Sequence, residues 1–137
     1  MAEFNHAKEL NTNVDYDFIT DAMTGDRDAR MHLYFQLLHS FQKADSVDII
    51  VSFLMESGVK MLIEDLENAL KRGAKIRILT GNYLGITQPS ALYLIKRKLG
   101  DQIDLRFYNE KNRSFHPKSY IFHYKDYNEI YIGSSNI

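Results

Sequence analysis

Over residues 26–43 the apolar positions Met31, Tyr34, Leu37, Leu38 and Phe41 recur at steps of three, three, one and three. That spacing predicts a helix. Residues 47–53 form a short apolar run rich in β-branched side chains, which reads as a buried strand. Val59, Leu62, Ile63, Leu66 and Leu70 then follow the i, i+3, i+4, i+7, i+11 pattern of a second helix. Gly73 sits where a helix end favours a positive φ. Ile76, Ile78 and Thr80 alternate with Lys75, Arg77 and Leu79 as a strand, which Thr80-Gly81-Asn82 breaks. Pro89 suits the first turn of a third helix carrying Leu92, Ile95 and Leu99 and ending at Gly100. Ile103, Leu105 and Phe107 alternate once more.

The order is a helix followed by β-α-β-α-β, which favours parallel strands joined by crossover helices. Residues 115–124 and 129–133 read as two further strands with only a turn between them, hence an antiparallel hairpin. The predicted class is α/β: a mixed β-sheet with helices on its faces, βαβαβ plus a C-terminal antiparallel hairpin. Residues 1–25 are polar and without period, an N-terminal extension ahead of one domain over 26–137.

Composition narrows the class. The 137 residues are 45% hydrophobic and 26% charged, which suits a chain with a real core. The chain has no cysteine, so neither a disulfide framework nor a thiolate metal site is available to it. No apolar run approaches a membrane span and no signal-peptide pattern opens the sequence, so no membrane role and a cytoplasmic location are expected. The net charge of −1 conceals an asymmetry: residues 1–70 carry 5 Lys/Arg against 13 Asp/Glu, residues 71–137 carry 12 against 5. A basic half that also holds Tyr and Phe is an electrostatic footprint for a polyanion, unless the fold interleaves the two halves.

The candidate chemistry lies near the end. His116-Pro117-Lys118 is followed, across the hairpin, by Gly133-Ser134-Ser135-Asn136. Side chains two apart on a strand share a face, so His116 and Lys118 are expected to project together. A turn over 125–128 that paired Tyr124 with Glu129 would set Lys118 opposite Ser135 and His116 opposite Ile137, with Gly133 free to approach a ligand. Pro117 lacks a backbone donor, which places its strand at an edge or makes it irregular.

These residues resemble the signature of the phospholipase D superfamily, His-x-Lys-x-x-x-x-Asp followed by Gly-Ser/Gly-x-Asn. The matching positions are His116, Lys118, Gly133, Ser134 or Ser135, and Asn136. Within the superfamily the chain is most similar to the small nuclease-like domains ahead of helicase modules in bacterial DNA-processing proteins. The resemblance implies a phosphodiesterase acting on nucleic acid, with DNA as the expected partner. His116 would be the nucleophile of a phosphohistidine intermediate. Lys118 and Asn136, with Gly133, Ser134 and Ser135, would hold the phosphate oxygens. No metal and no cofactor are implied. The superfamily pairs two such motifs, so a homodimer, or a second motif elsewhere in a longer chain, would complete the site.

Two positions depart from the signature. His123 stands where the superfamily has Asp; 116 to 123 is an odd interval, so His123 is expected to face away and support the site from behind. Asp126 and Glu129 are the nearby carboxylates that would substitute. The sequence also stops one residue after Asn136, so the domain is expected to be truncated at its C-terminus. The alternative of a different class is a non-catalytic DNA-binding or docking module of a helicase.

Elsewhere the bland readings are the stronger ones. His32 and His39 are seven apart, further than a helical metal pair needs, and His6 stands alone in the extension. Residues 80–85 lack the Gly-Lys-Ser/Thr ending of a phosphate loop and read as a turn. Lys96-Arg97-Lys98 reads as a solvated helix face. Tyr108, Tyr120, Phe122, Tyr124 and Tyr131 are expected to fill the core rather than stack on bases.

Overall fold

The structure, a computed structural model, describes residues 32–137 together with the backbone of two short strands before them. The chain divides into two compact units, Met1–Leu37 and Leu38–Ile137. In the first unit β1 (Ala7–Lys8) and β2 (Asp15–Tyr16) pair antiparallel, a ladder that no periodic pattern announces. The first helix, α1 (Leu33–Phe41), begins later than residue 26; residues 26–31, including Met31, and His6 lie outside the described residues.

The second unit follows the predicted order. It runs β3 (Ser46–Val51), α2 (Glu56–Lys71), β4 (Lys75–Gly81), α3 (Pro89–Leu99), β5 (Ile103–Tyr108), β6 (Lys118–His123) and β7 (Asn128–Ile132). The sheet order is β5-β4-β3-β6-β7. β3, β4 and β5 are mutually parallel, whereas β6 returns antiparallel to β3 and β7 antiparallel to β6. Strand order therefore reverses direction at β3, and the carboxyl end of β3 is the crevice position of such a sheet.

Alternation along β3 turns Val47, Ile49 and Val51 to the covered face, matched in register by Ile76, Ile78 and Thr80 of β4. The crossover helices α2 and α3 pack on each other above this face. Val59, Leu62, Leu66 and Ala69 supply the buried stripe of α2; Ala91, Leu94, Ile95 and Leu99 supply that of α3. Burying each such Leu or Ile stabilises the fold by roughly 1.5–3 kcal/mol. Phe41 reaches the same face and meets Phe122 edge-on, with ring centroids 5.1 Å apart. Among the described residues the opposite face is uncovered, and it carries Asp48, Arg77 and Asp104 in one row across the sheet.

Punctuation residues behave as expected. Gly73 closes α2 at φ +99 and Gly100 closes α3 at φ +59. Pro89 occupies the first turn of α3. The basic residues Lys96, Arg97 and Lys98 face solvent, with Lys96 reaching Asp101 at 3.2 Å. His39 lies 3.1 Å from Lys43.

The hairpin register differs from expectation by two residues. Phe122 pairs with Glu129 and Ser119 with Ile132. Tyr124 N–H donates to the Tyr127 carbonyl at 2.9 Å, and the two rings stack at 4.4 Å. These contacts tighten the connection to Lys125-Asp126, shorter than the four residues 125–128. A shift of two keeps every side chain on its predicted face, so the alternation survives. The partners do not: Gly133, not Ser135, lies beside Lys118, its N–H donating to the Lys118 carbonyl at 3.3 Å.

Candidate active site

β6 starts at Lys118, the residue after Pro117, and lies inside the sheet between β3 and β7. Of the two expectations for this strand, an edge position or an irregular course, the second holds, and the strand begins at Lys118 rather than at residue 115. Pro117 has no N–H to give to a ladder, so pairing begins after it. His116 therefore precedes the strand, and the two-residue repeat does not govern where its ring points.

Val51 pairs with Lys118, which sets that lysine at the carboxyl end of β3. Its side chain lies on the covered face with Tyr120 and Phe122 and is only 8% exposed. The ammonium donates to Ser52 Oγ at 3.0 Å and to the His116 carbonyl oxygen at 3.1 Å. Ser52, itself fully buried, donates to the Pro117 carbonyl oxygen at 3.0 Å. One hydroxyl thus ties the end of β3 to both the lysine and the turn that carries His116. Among the described residues the Lys118 ammonium has no ion-pair partner. Neutral oxygens take two of the three donors of this amine, which leaves the third for an anion.

Asn136 arrives from the other side of the same hub. Its carboxamide oxygen accepts the Phe53 N–H at 3.2 Å, which leaves the amide nitrogen to donate outward. The Ser135 carbonyl accepts the Tyr120 hydroxyl at 2.9 Å. Burial pushes the Tyr120 phenol above its ordinary value, so that donor stays protonated. The Ile137 carbonyl accepts the Met55 N–H at 2.7 Å, so residues 134–137 leave β6 and cross to the start of α2. Ile137 is consequently not opposite His116, as the expected register had placed it. Gly58 makes this crossing possible: a Cβ there would stand 2.3 Å from the Ile137 carbonyl carbon.

His116 is exposed, and its ring lies against Tyr83 with centroids 4.2 Å apart and planes inclined by 38°. Tyr83 belongs to the turn after β4, where a turn was expected and no role was assigned. That turn is pinned from below: Thr87 Oγ1 donates to the Gly81 carbonyl and accepts the Leu54 N–H. Ser52 and Tyr83 are the residues that sequence reasoning missed. A lone Ser at the end of a buried parallel strand was the available signal for the first. Nothing periodic marks the second.

His123 does face away from Lys118, as the odd interval required, but it is not behind the site. It sits five residues along β6, roughly 16 Å away, where it binds Asp48 at 3.0 Å and Asn128 at 2.8 Å. Neither suggested carboxylate replaces the Asp of the signature. Asp126 is in the exposed turn, and Glu129 accepts hydrogen bonds from Ser40 and Tyr124 beside Phe122.

Asp48 is instead gripped by Arg77 through paired bonds of 2.5 and 2.6 Å. Those bonds hold its carboxyl below the usual range against an opposing push from burial, and His123 adds to the lowering. A folded-state pKa below the unfolded value contributes stability in full above the unfolded value, lost as pH falls through the folded one. Asp48→Asn is therefore expected to lower the urea midpoint near neutral pH. It is also expected to flatten, relative to wild type, the fall in stability as pH drops below the ordinary aspartate value of 3.8. A wild-type acid profile retained in Asp48→Asn would assign that fall to other carboxyls.

Among the described residues no helix is long and apolar enough to cross a membrane, and no three His, Cys, Asp or Glu side chains cluster as metal ligands.

A buried lysine, an adjacent histidine and a crossing Gly-Ser-Ser-Asn segment at the carboxyl end of a mixed sheet define a phospholipase D-like, phosphodiester-acting class. The chain belongs to the family described as cardiolipin synthase, PLD-like domain, whose model matches residues 34–137. No curated protein matches the sequence significantly. Among the solved structures that match is polyphosphate kinase from Porphyromonas gingivalis, 15% identical, with a TM-score of 0.49. That likeness covers 68% of this chain and 16% of the kinase, so the chain spans a small part of that protein's length.

Proposed function

We propose that this domain cleaves phosphodiester bonds in nucleic acid, with DNA as substrate, through a phosphohistidine intermediate. The observation that carries the reading is the Lys118 ammonium, buried among neutral oxygens two residues from an exposed imidazole. A ring nitrogen of His116 attacks phosphorus, and the bond from phosphorus to the leaving sugar oxygen breaks. Lys118 and the Asn136 amide hold the non-bridging oxygens as charge builds on them. Ser134 and Ser135 flank that seat, and Gly133 carries the chain into it. A second imidazole, brought by another copy of the chain in a homodimer, protonates the leaving oxygen. Water then attacks phosphorus and gives its proton to that imidazole, the P–N bond breaks, and His116 is restored. In a cytoplasmic DNA-processing protein this domain is one module beside a helicase.

Hydrolysis of bis(p-nitrophenyl) phosphate and of a labelled oligonucleotide in excess chelator tests the reading. His116→Ala is expected to lower both rates by about 10³-fold or more, with the urea midpoint unchanged because the ring is exposed. Cleavage that survives His116→Ala would sink the mechanism.

A second reading is a DNA-binding or docking module without turnover. The absence of a carboxylate at the His123 position favours it. Salt-sensitive oligonucleotide binding with no hydrolysis of either substrate would establish it.

A further inference from the structure

An open cleft of about 580 Å³ runs beside His116, between the turn after β4 and the loop joining β5 to β6. Its volume lies within the roughly 300–1,000 Å³ usual for ligand sites. We infer that this cleft seats the single-stranded nucleic acid flanking the scissile phosphate. The inference rests on the reading of His116 given above and adds the path of the substrate.

Tyr83 joins the two sites, since it lines the cleft and also lies against the His116 ring. A strand lying along the cleft is thereby led to the imidazole. On the opposite wall Tyr108 and Phe115 stack on each other at 4.7 Å, held close to the sheet because Gly81 has no Cβ to collide with Phe115. Lys111 and Arg113 line the cleft, are exposed, and have no ion-pair partner among the described residues. Two cations against the lone acid Glu110 leave the lining positive, as a phosphate backbone requires. Asn82, Asn109 and Asn112 add carboxamides suited to base edges and sugar hydroxyls.

Leu84, at the rim, adds a second, independent sign. It is 79% exposed and holds φ +53, a left-handed conformation that a leucine adopts only at a cost. A strained turn that presents an apolar side chain to water beside a cationic, aromatic cleft fits a surface on which a base stacks. A membrane surface would ask for a broader apolar face than one leucine among three carboxamides.

The test measures binding of a fluorescein-labelled oligo(dT) by anisotropy, in chelator and across a salt series. The proteins are the wild type, a Lys111→Ala/Arg113→Ala double variant and a Lys96→Ala/Lys98→Ala control on α3. The cleft variant is expected to bind at least tenfold more weakly, with the slope of log K against log salt reduced by about 1.4 for two lost single-strand phosphate contacts. The α3 control should bind like wild type. Wild-type oligonucleotide affinity in the cleft variant overturns the inference, as does failure of the wild type to bind oligo(dT). Cleft-dependent binding to phosphatidylglycerol vesicles without oligonucleotide binding overturns it in favour of a lipid surface. If Lys111 and Arg113 govern oligonucleotide binding while the wild type leaves the small diester intact, the cleft stands and the catalytic reading falls.

Discussion

Lys118→Met is expected to lower kcat/KM for a small diester by about 10²–10³, the usual cost of one lost donor to a developing oxyanion. Folding should be spared. Lys118 is 8% exposed with only neutral partners, and an apolar side chain of similar length removes the cost of holding a polar head group out of water. Ser52 keeps its bond to the Pro117 carbonyl, so no buried hydroxyl is left without a partner. The urea midpoint of the variant should therefore equal or exceed that of wild type while activity collapses. A variant that unfolds readily but retains activity would make Lys118 a structural residue and would remove the basis for the phosphate seat.

Gly58→Ala should act in the opposite sense on stability and in the same sense on activity. Alanine within a helix is favoured over glycine by about 1 kcal/mol, so propensity alone predicts a gain. The new Cβ, however, would stand 2.3 Å from the Ile137 carbonyl carbon and 3.1 Å from its Cα. Overlap with backbone forces a displacement that costs about 1–3 kcal/mol, and the clash wins. What moves is the segment whose Asn136 caps the Phe53 N–H, so diester hydrolysis should fall at least tenfold. Gly73→Ala provides the comparison: φ is +99 there and nothing lies near the absent Cβ. It should lose about 1–2 kcal/mol through strain with hydrolysis untouched. Equal hydrolysis by the two variants would show that the crossing segment does not position Asn136.

What the sequence disclosed and what it withheld follow from the range of each interaction. The stripe from Val59 to Leu66, the stop at Gly73 and the Pro89 start are local signals, and α2, β4 and α3 lie where those signals place them. Parity along β6 was legible too, because a period of two sends Lys118 and His123 to opposite faces wherever the pairing falls. The register was not, since it depends on a turn tightened by the Tyr124–Tyr127 stack and one backbone bond. Ser52 and Tyr83 escaped notice for a related reason. Each acquires its meaning from a partner more than thirty residues away, Lys118 for one and His116 for the other. The family match over residues 34–137 agrees with the motif that Lys118, His116 and Asn136 spell, but the motif letters alone place neither residue against its neighbour.

The interior position of β6 gives the two halves of the site unequal mechanical standing. Lys118 is paired with Val51 on one side and takes the Gly133 N–H on the other, so it cannot shift without breaking both attachments. His116 hangs one step outside that fabric, steered by a ring contact with Tyr83. In the proposed mechanism the donor that meets a phosphate is a fixed datum of the scaffold, whereas the reach of the attacking nitrogen is set by an adjustable arm. Evolution could retune that arm through the turn after β4 without disturbing a single strand.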